Sequence, residues 1–216
     1  MAPLTPRAFA DRVPVSRETL ARLADYAAAL KKWQRAINLV APSTLDDIWR
    51  RHFLDSAQLL SLAPPTARIW LDLGSGAGFP GLVLALLGAP EVHLVESDGR
   101  KCAFLQEVVR LTGAPATVHH ARAEKLQLEN VDVITARALA PLDRLLALAW
   151  PFWRGGCVGL FLKGQDVGSE LTQATKCWKF TADRRDSLTA PNGAVVIVGD
   201  LAPTRQTDGP SSKDPR

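Results

Sequence analysis

Three glycines and two acids are the residues whose spacing points most directly to chemistry. Gly74, Gly76 and Gly78 sit in the stretch I-W-L-D-L-G-S-G-A-G-F-P-G, from Ile69 to Gly81. Ile69–Leu73 reads as a short buried strand, apolar except for Asp72, and Leu82–Leu87 as an apolar helix. A strand, a glycine turn and a helix open a nucleotide-binding βαβ unit. Glycines there allow left-handed backbone angles and close approach of a ligand to the main chain. Gly76-x-Gly78-x-x-Gly81 also fits a dinucleotide fingerprint, so the glycines alone do not choose a ligand. Asp72 separates the readings. A pyrophosphate sits badly beside a carboxylate two residues before the turn. S-adenosylmethionine has no phosphate and carries an ammonium and a sulfonium, so an acid suits it. The plain alternative is an ordinary strand–turn–helix with Asp72 as a local cap.

The second acid is Glu96, at the end of the next strand-like run, Val92–Glu96, about 20 residues past the glycines. An acid there binds ribose hydroxyls, so Glu96 supports a nucleoside without choosing between cofactors. Ligand residues of open parallel sheets gather at the carboxyl ends of the strands. In this chain those ends are Gly74–Phe79, Glu96–Asp98, Arg122–Glu124, Arg137 and Lys163. They come from five strands and should converge on one crevice.

The elements that position them read as alternating strand and helix, which argues a parallel sheet. Strands are expected at Ala116–His120, Val131–Thr135 and Val158–Leu162. Helices are expected near Gly99–Leu111, Pro141–Phe152 and Ser169–Lys176. Runs near Lys179–Asp183 and Ala194–Val198 look like a closing antiparallel pair. Upstream, Ser16 is a good cap for a helix from Arg17 to about Asn38, with Leu20, Leu23, Ala27, Leu30 and Ile37 on its core face. A second helix is expected from about Leu45 to Leu60, where His52 and Asp55, three apart, can touch. The expected division is a helical extension over 1–63, a Rossmann-like core over 64–200 and a disordered tail over 201–216.

The chain has 216 residues, nearly half of them apolar, enough for a full core. No apolar run reaches the length of a membrane span. The opening M-A-P-L-T-P-R-A-F-A-D has prolines and an acid where a signal peptide needs an apolar stretch, so a cytoplasmic protein is expected. Cys102, Cys157 and Cys177 lie far apart without metal spacing. Net charge is +4, spread unevenly. Residues 1–60 carry nine basic and six acidic residues, net +3; residues 61–150 carry eight and nine, net −1; residues 151–216 carry nine and seven, net +2. The positive excess lies outside the expected cofactor core, which permits a polyanionic partner. Lys31, Lys32 and Arg35 are either a solvated face or a phosphate-contacting edge.

Several motifs together resemble one family. They are I-N-L-V at Ile37–Val40, R-H-F-L-D-S at Arg51–Ser56, D-L-G-S-G-A-G-F-P-G at Asp72–Gly81 and V-E-S-D-G-R-K-C-A-F-L at Val95–Leu105. R-A-E follows at Arg122–Glu124, T-A-R-A-L-A at Thr135–Ala140 and L-K-G at Leu162–Gly164. Over roughly residues 20–200 the chain resembles the RsmG type, also called glucose-inhibited division protein B. These are bacterial S-adenosylmethionine-dependent methyltransferases of small-subunit ribosomal RNA. The resemblance implies a class I methyltransferase fold, with helices on both faces of a mostly parallel seven-stranded sheet. It implies methylation of a guanine at N7 in 16S ribosomal RNA, free or in the small-subunit particle. It places cofactor contacts at Gly74, Phe79, Ala123, Glu124 and Arg137. A monomer is expected. Asn38-Leu39-Val40 departs from the family's Asn-Leu-Thr.

The residues agree with that chemistry. Guanine N7 has an in-plane lone pair and no proton to lose, so its methylation needs neither a general base nor a covalent nucleophile. An exocyclic amine commonly needs an Asn/Asp-Pro-Pro-aromatic loop after the fourth strand, where this chain has Thr135-Ala136-Arg137-Ala138-Leu139-Ala140-Pro141. A pyrimidine carbon needs a cysteine nucleophile, and neither Cys102 nor Cys157 follows that strand. What remains is alignment of a base with the methyl group. Arg137 is then a positioning residue, bonding a carboxylate, a phosphate or a guanine edge. Lys163 could reach a phosphate or cap a strand. The competing readings are a methyltransferase of a small molecule or protein, a nucleotide-binding module and a dehydrogenase. The basic flanks favour RNA, and Asp72 argues against the dehydrogenase.

Overall fold

Strands that are apolar on both faces need cover on both faces, and this requirement sets the architecture. The structure, a computed structural model, describes residues 2–204. Its strands are Ile69–Leu73 (β1), Glu91–Glu96 (β2), Ala116–His120 (β3), Val133–Arg137 (β4), Val158–Lys163 (β5), Trp178–Asp186 (β6) and Ala194–Pro203 (β7). They form one sheet in the order β3-β2-β1-β4-β5-β7-β6. The first five strands run parallel, and β7 enters antiparallel between β5 and β6. The expected antiparallel closing pair is present and longer than its sequence pattern suggests. The helices are Pro6–Ala10 (α1), Arg17–Trp33 (α2), Asp55–Ala57 (α3), Gly81–Leu86 (α4), Gly99–Thr112 (α5), Leu142–Ala149 (α6) and Val167–Ala174 (α7).

The period-two alternation of β1 divides the core. Trp70 faces a cluster containing Phe9, Leu23, Tyr26, Phe53, Leu82 and Phe104, so α1, α2, α4 and α5 cover that side. Leu71 and Leu73 face Ile134, Leu145, Leu146, Phe161 and Val196, under α6 and α7. No described helix is long and apolar enough to cross a membrane.

Several boundaries differ from the sequence reading, four of them in ways that bear on the site or the ends of the sheet. The helix after Ser16 stops at Trp33. Gln34 ends it by accepting from the backbone N–H groups of Leu39 and Val40, both at 3.0 Å, and donating to the Val40 carbonyl at 2.9 Å. The expected Leu45–Leu60 helix is a π-helix at Trp49–Leu54 that runs straight into α3, preceded by a 3-10 turn at Pro42–Thr44 and followed by another at Leu60–Leu62. Asp47, in the gap before the π-helix, accepts from the Leu4 backbone N–H and from Arg50, which competes with a regular helix start. β4 begins at Val133, because Asp132 turns its carboxylate onto the backbone N–H groups of Arg68 and Ile69. β7 runs to Pro203, so residues 201–203 belong to the sheet rather than to a tail. Residues 205–216 lie outside the described residues.

Candidate active site

The carboxyl ends of β1 to β5 open on one cleft of about 1120 Å³, and the expected convergence is real. Its wall includes Gly74, Gly76, Phe79, Glu96, Ala123, Glu124, Arg137 and Lys163. The glycine turn lies at its base, with Gly74 at φ +65°, Gly76 at φ +57° and Gly78 at φ +89°. These glycines have different reasons. A Cβ on Gly74 would come 2.5 Å from the Leu139 side chain. A Cβ on Gly78 would come 2.6 Å from the Tyr26 hydroxyl and 3.0 Å from the Leu82 Cβ. Above Gly76 the nearest atom is the Gly74 carbonyl oxygen at 3.8 Å, so that position faces open space. Gly78 is buried behind the turn and outside the cleft wall, where it serves packing.

Glu96 closes the turn from β2. One carboxylate oxygen accepts from the Gly76 N–H at 2.9 Å; the other accepts from Ser97 at 2.7 Å and Asp98 at 2.8 Å. A carboxylate has about four acceptor positions, so one remains for a ligand hydroxyl. Asp72 departs from its expected place. It is 1% exposed and absent from the cleft wall, with one oxygen accepting from the Thr135 hydroxyl at 2.6 Å. The start of α4 packs on it, since a Cβ at Gly81 would lie 2.6 Å from the Asp72 Cβ. Among the described residues its other oxygen has no close hydrogen-bond partner, and burial pushes its carboxyl up to about 6 against the opposing pull of Thr135, Ser75 and the Gly81 N–H. Direct contact of Asp72 with a ligand is therefore corrected to a position behind the turn.

Arg137, at the end of β4, lies with its guanidinium 4.9 Å from the centre of the Phe79 ring. Nη1 donates to the Arg51 carbonyl at 3.2 Å and to Asp55 Oδ2 at 3.4 Å. Burial lowers its pKa and the Asp55 carboxylate opposes that shift. Phe79 is itself stacked by Tyr26 at 5.3 Å and by His52 at 4.8 Å. The Tyr26 hydroxyl donates to the Ala77 carbonyl, so α2 holds the glycine turn directly. Sequence reading missed Tyr26; its place one residue before Ala27 on the core side of α2 was the available signal. Thr189 and Gln58 were also missed. Both donate to Asp55 Oδ1, and Gln58 Oε1 accepts from the Leu188 N–H at 3.1 Å. Only the fold reveals these partners, since Thr189 arrives on the β6–β7 loop.

His52 and Asp55 do not bond to one another. The Thr44 hydroxyl donates to the Ala41 carbonyl at 2.7 Å, so its oxygen accepts from His52 Nε2–H at 2.7 Å. Nδ1 is buried without a hydrogen-bond partner among the described residues. Burial, with Arg137 and Arg51 nearby, lowers the His52 pKa to about 3. The imidazole is neutral at every working pH. The unfolded chain takes up the His52 proton first as pH falls below 6.5, so the stability this residue contributes is present above 6.5 and lost towards 3. Asp72 acts oppositely: as pH rises from 3.8 to about 6 the unfolded chain releases its proton first and stability declines. The two partly cancel between pH 4 and 6. His52→Gln removes the first contribution. Thermal melts should therefore show the variant gaining on wild type as pH falls from 7 to 4.5, by up to about 3 kcal/mol. A pH-independent difference would mean that His52 takes up its proton as readily in the folded protein as in the unfolded chain.

Lys163, read from sequence as reaching a phosphate or capping a strand, has its ammonium turned onto partners within the protein. It pairs with Glu170 at 2.5 Å and donates to the Ala140 carbonyl at 2.8 Å, and Glu170 also accepts from the Leu142 N–H. The pair braces the β4–α6 loop. Ala123 and Glu124 form a 3-10 turn after β3 in the cleft wall. Among the described residues no cysteine lines the cleft; Cys102 and Cys157 are buried, and burial pushes the Cys157 thiol up to about 12.

The residues fit S-adenosylmethionine. The cradle over Gly76 is one that a Cβ would begin to fill, Glu96 has an acceptor position to spare, and among the described residues Arg137 makes no bond from Nε or Nη2. Sheet order, glycine turn and closing acid define a class I S-adenosylmethionine-dependent methyltransferase. The fold is shared with the ribosomal protein L11 methylase of Lactobacillus delbrueckii subsp. bulgaricus, at TM-score 0.55 and 15% identity over 67% of this chain and 75% of that one. It is shared too with M. jannaschii TYW2 in complex with AdoMet, at TM-score 0.52 and 16% identity over 68% and 74%. The sequence model of the GidB family, rRNA small subunit methyltransferase G, matches residues 19–194. The Ribosomal RNA small subunit methyltransferase G of Rhodospirillum rubrum is 58% identical over 92% of this chain and 98% of its own length. The chain belongs to this family and is an S-adenosylmethionine-dependent methyltransferase.

Proposed function

We propose that the protein methylates N7 of a guanine in 16S ribosomal RNA, free or within the small subunit, and works as a cytoplasmic monomer. The observation that carries this reading is a cleft centred on Arg137 and Phe79 in which the only imidazole among the described lining residues, His52, is held neutral with its proton committed to Thr44. Such a cleft can orient a base but is poorly equipped to deprotonate one. Family membership supports the ribosomal RNA. Exposed Lys31, Lys32 and Arg35, near the end of α2, supply a phosphate-contacting edge.

The roles divide accordingly. Gly74, Gly76, Phe79, Glu96, Ala123 and Glu124 bind the cofactor, with Glu96 taking a ribose hydroxyl. Asp72 sets the local field from behind the turn. Phe79 and Arg137 present a flat, cationic surface at the end of β4 and exclude water from it. When bound, S-adenosylmethionine supplies an electrophilic methyl group, whose bond to sulfur breaks as the bond to N7 forms, so that the positive charge passes to the ring and no proton moves.

A pH–rate profile tests the mechanism. With RNA saturating, the single-turnover rate should be nearly flat between roughly pH 6.5 and 9, because no general base has to be deprotonated. Reductive strand scission should mark the modified position. A rate that climbs tenfold per pH unit, or a methyl group on an exocyclic nitrogen or ring carbon, would sink the N7 reading.

A further inference from the structure

We propose that Arg137 and Asp55 together read the six-membered-ring edge of the target guanine, with Arg137 donating to O6 and Asp55 Oδ2 accepting from N1–H. The inference rests on the guanine reading above. Its basis is an ion pair that is placed in the cleft but left loose. The Nη1–Oδ2 separation is 3.4 Å, and Nη1 reaches the Arg51 carbonyl at 3.2 Å. Charge-assisted N–H to carboxylate bonds close to about 2.7–2.9 Å when nothing else is required of them. The two side chains are only 19% and 14% exposed, so open solvent does not explain the slack. Nε and Nη2 of Arg137 have no hydrogen-bond partner among the described residues.

The two oxygens of Asp55 are also unequal. Oδ1 is full, accepting from Thr189 and from Gln58, which fixes the carboxylate plane from the β6–β7 loop and from the turn after α3. Among the described residues Oδ2 carries the long Arg137 contact alone. A donor and an acceptor thus stand side by side in the cleft wall, one held by stacking on Phe79 and the other by two hydrogen bonds. Guanine presents an acceptor and a donor side by side in the matching order, O6 then N1–H. Adenine presents the reverse, an amine and then a bare nitrogen. Enzymes that act on an extruded base read it at this Watson–Crick edge. The acid also offsets the guanidinium charge, which matters when the base becomes cationic. The neutral His52 beside them adds no further positive charge.

Short RNAs carrying guanosine, inosine or 2,6-diaminopurine riboside at the target position test this. Inosine keeps O6, N1–H and N7 and lacks only the amine at C2. Diaminopurine keeps N7 and that amine but has an amine at C6 and no proton on N1. Wild-type enzyme should methylate inosine within about tenfold of guanosine and diaminopurine about 100-fold more slowly or worse. In Asp55→Asn the amide can donate to a bare N1, so the guanosine-to-diaminopurine ratio should fall by about tenfold or more. The intrinsic reactivity of N7 cancels between the two enzymes. Equal use of diaminopurine by wild type, or an unchanged ratio in Asp55→Asn, overturns the proposal. So does a loss with inosine as large as that with diaminopurine, which would assign the reading to the C2 amine. Should Asp55→Asn show no cooperative melt, the wild-type base series decides alone. Failure of wild type to methylate the guanosine RNA would remove the guanine reading itself.

Discussion

Gly76→Asp is expected to abolish S-adenosylmethionine binding while leaving the protein folded, and Gly78→Ala, two residues on, is expected to damage the fold. Both glycines have positive φ, +57° and +89°, yet their surroundings differ. At Gly76 a side chain enters the cleft, with nothing nearer than a carbonyl oxygen at 3.8 Å. Aspartate tolerates the left-handed region better than most residues, so the backbone cost is about 1 kcal/mol. The new carboxylate would occupy the cradle beside Glu96, and affinity should fall by a factor of about 100 or more. At Gly78 a methyl group meets Tyr26, Leu82 and Leu105 at 2.6, 3.0 and 3.1 Å. Overpacking and strained φ together should cost about 3 kcal/mol or more. Titration calorimetry and thermal melts on both variants separate the effects. Wild-type affinity in Gly76→Asp would remove the turn from the cofactor site.

That contrast bears on what the sequence could reveal. β1 and β3 fall on their expected residues, and the five strand ends do line one cleft. These features depend on local periodicity and on a topological rule, both visible in one dimension. What stayed hidden depends on distant partners. The glycine spacing is silent on which glycine faces a ligand and which faces Tyr26. Asp72 reads as a ligand contact because it adjoins the turn, but the pleat turns it towards α4 and Thr135. The region from Leu45 to Leu60 has helical spacing, yet the continuous helix covers only residues 48–57 and is π-helical over Trp49–Leu54, while Asp47, Asp55 and Gln58 bond to residues far away in the chain. His52 and Asp55 were legible as a pair and are not one: Thr44 takes the first and Arg137 the second.

Arg137→Ala should reduce methyl transfer by about 100-fold or more and weaken S-adenosylmethionine binding far less. The guanidinium sits where the glycine turn, through Phe79, meets the motif carrying Asp55, so in the proposed function it faces both partners of the reaction. Its loss removes the charge-assisted donors that orient the base, and a charged hydrogen bond contributes about 1.5–3 kcal/mol. Misplacement of the base by about 1 Å can add a further 100-fold. Cofactor binding keeps the glycine turn and Glu96, neither of which depends on Arg137 for its hydrogen bonds. Stability should fall as well, because Asp55 is left mostly buried without its cation. Arg137→Lys separates these consequences. A lysine restores a positive charge beside Asp55, and with it most of the melting temperature, but lacks the planar fork that lies on Phe79 and offers several donors. Methyl transfer should therefore stay well below wild type in Arg137→Lys even where stability recovers. The measurements are single-turnover rates on RNA, cofactor titration and thermal melts on both variants. Wild-type turnover in Arg137→Ala would reduce the residue to a structural partner of Asp55, and full recovery of rate in Arg137→Lys would show that charge alone, without the fork, aligns the base.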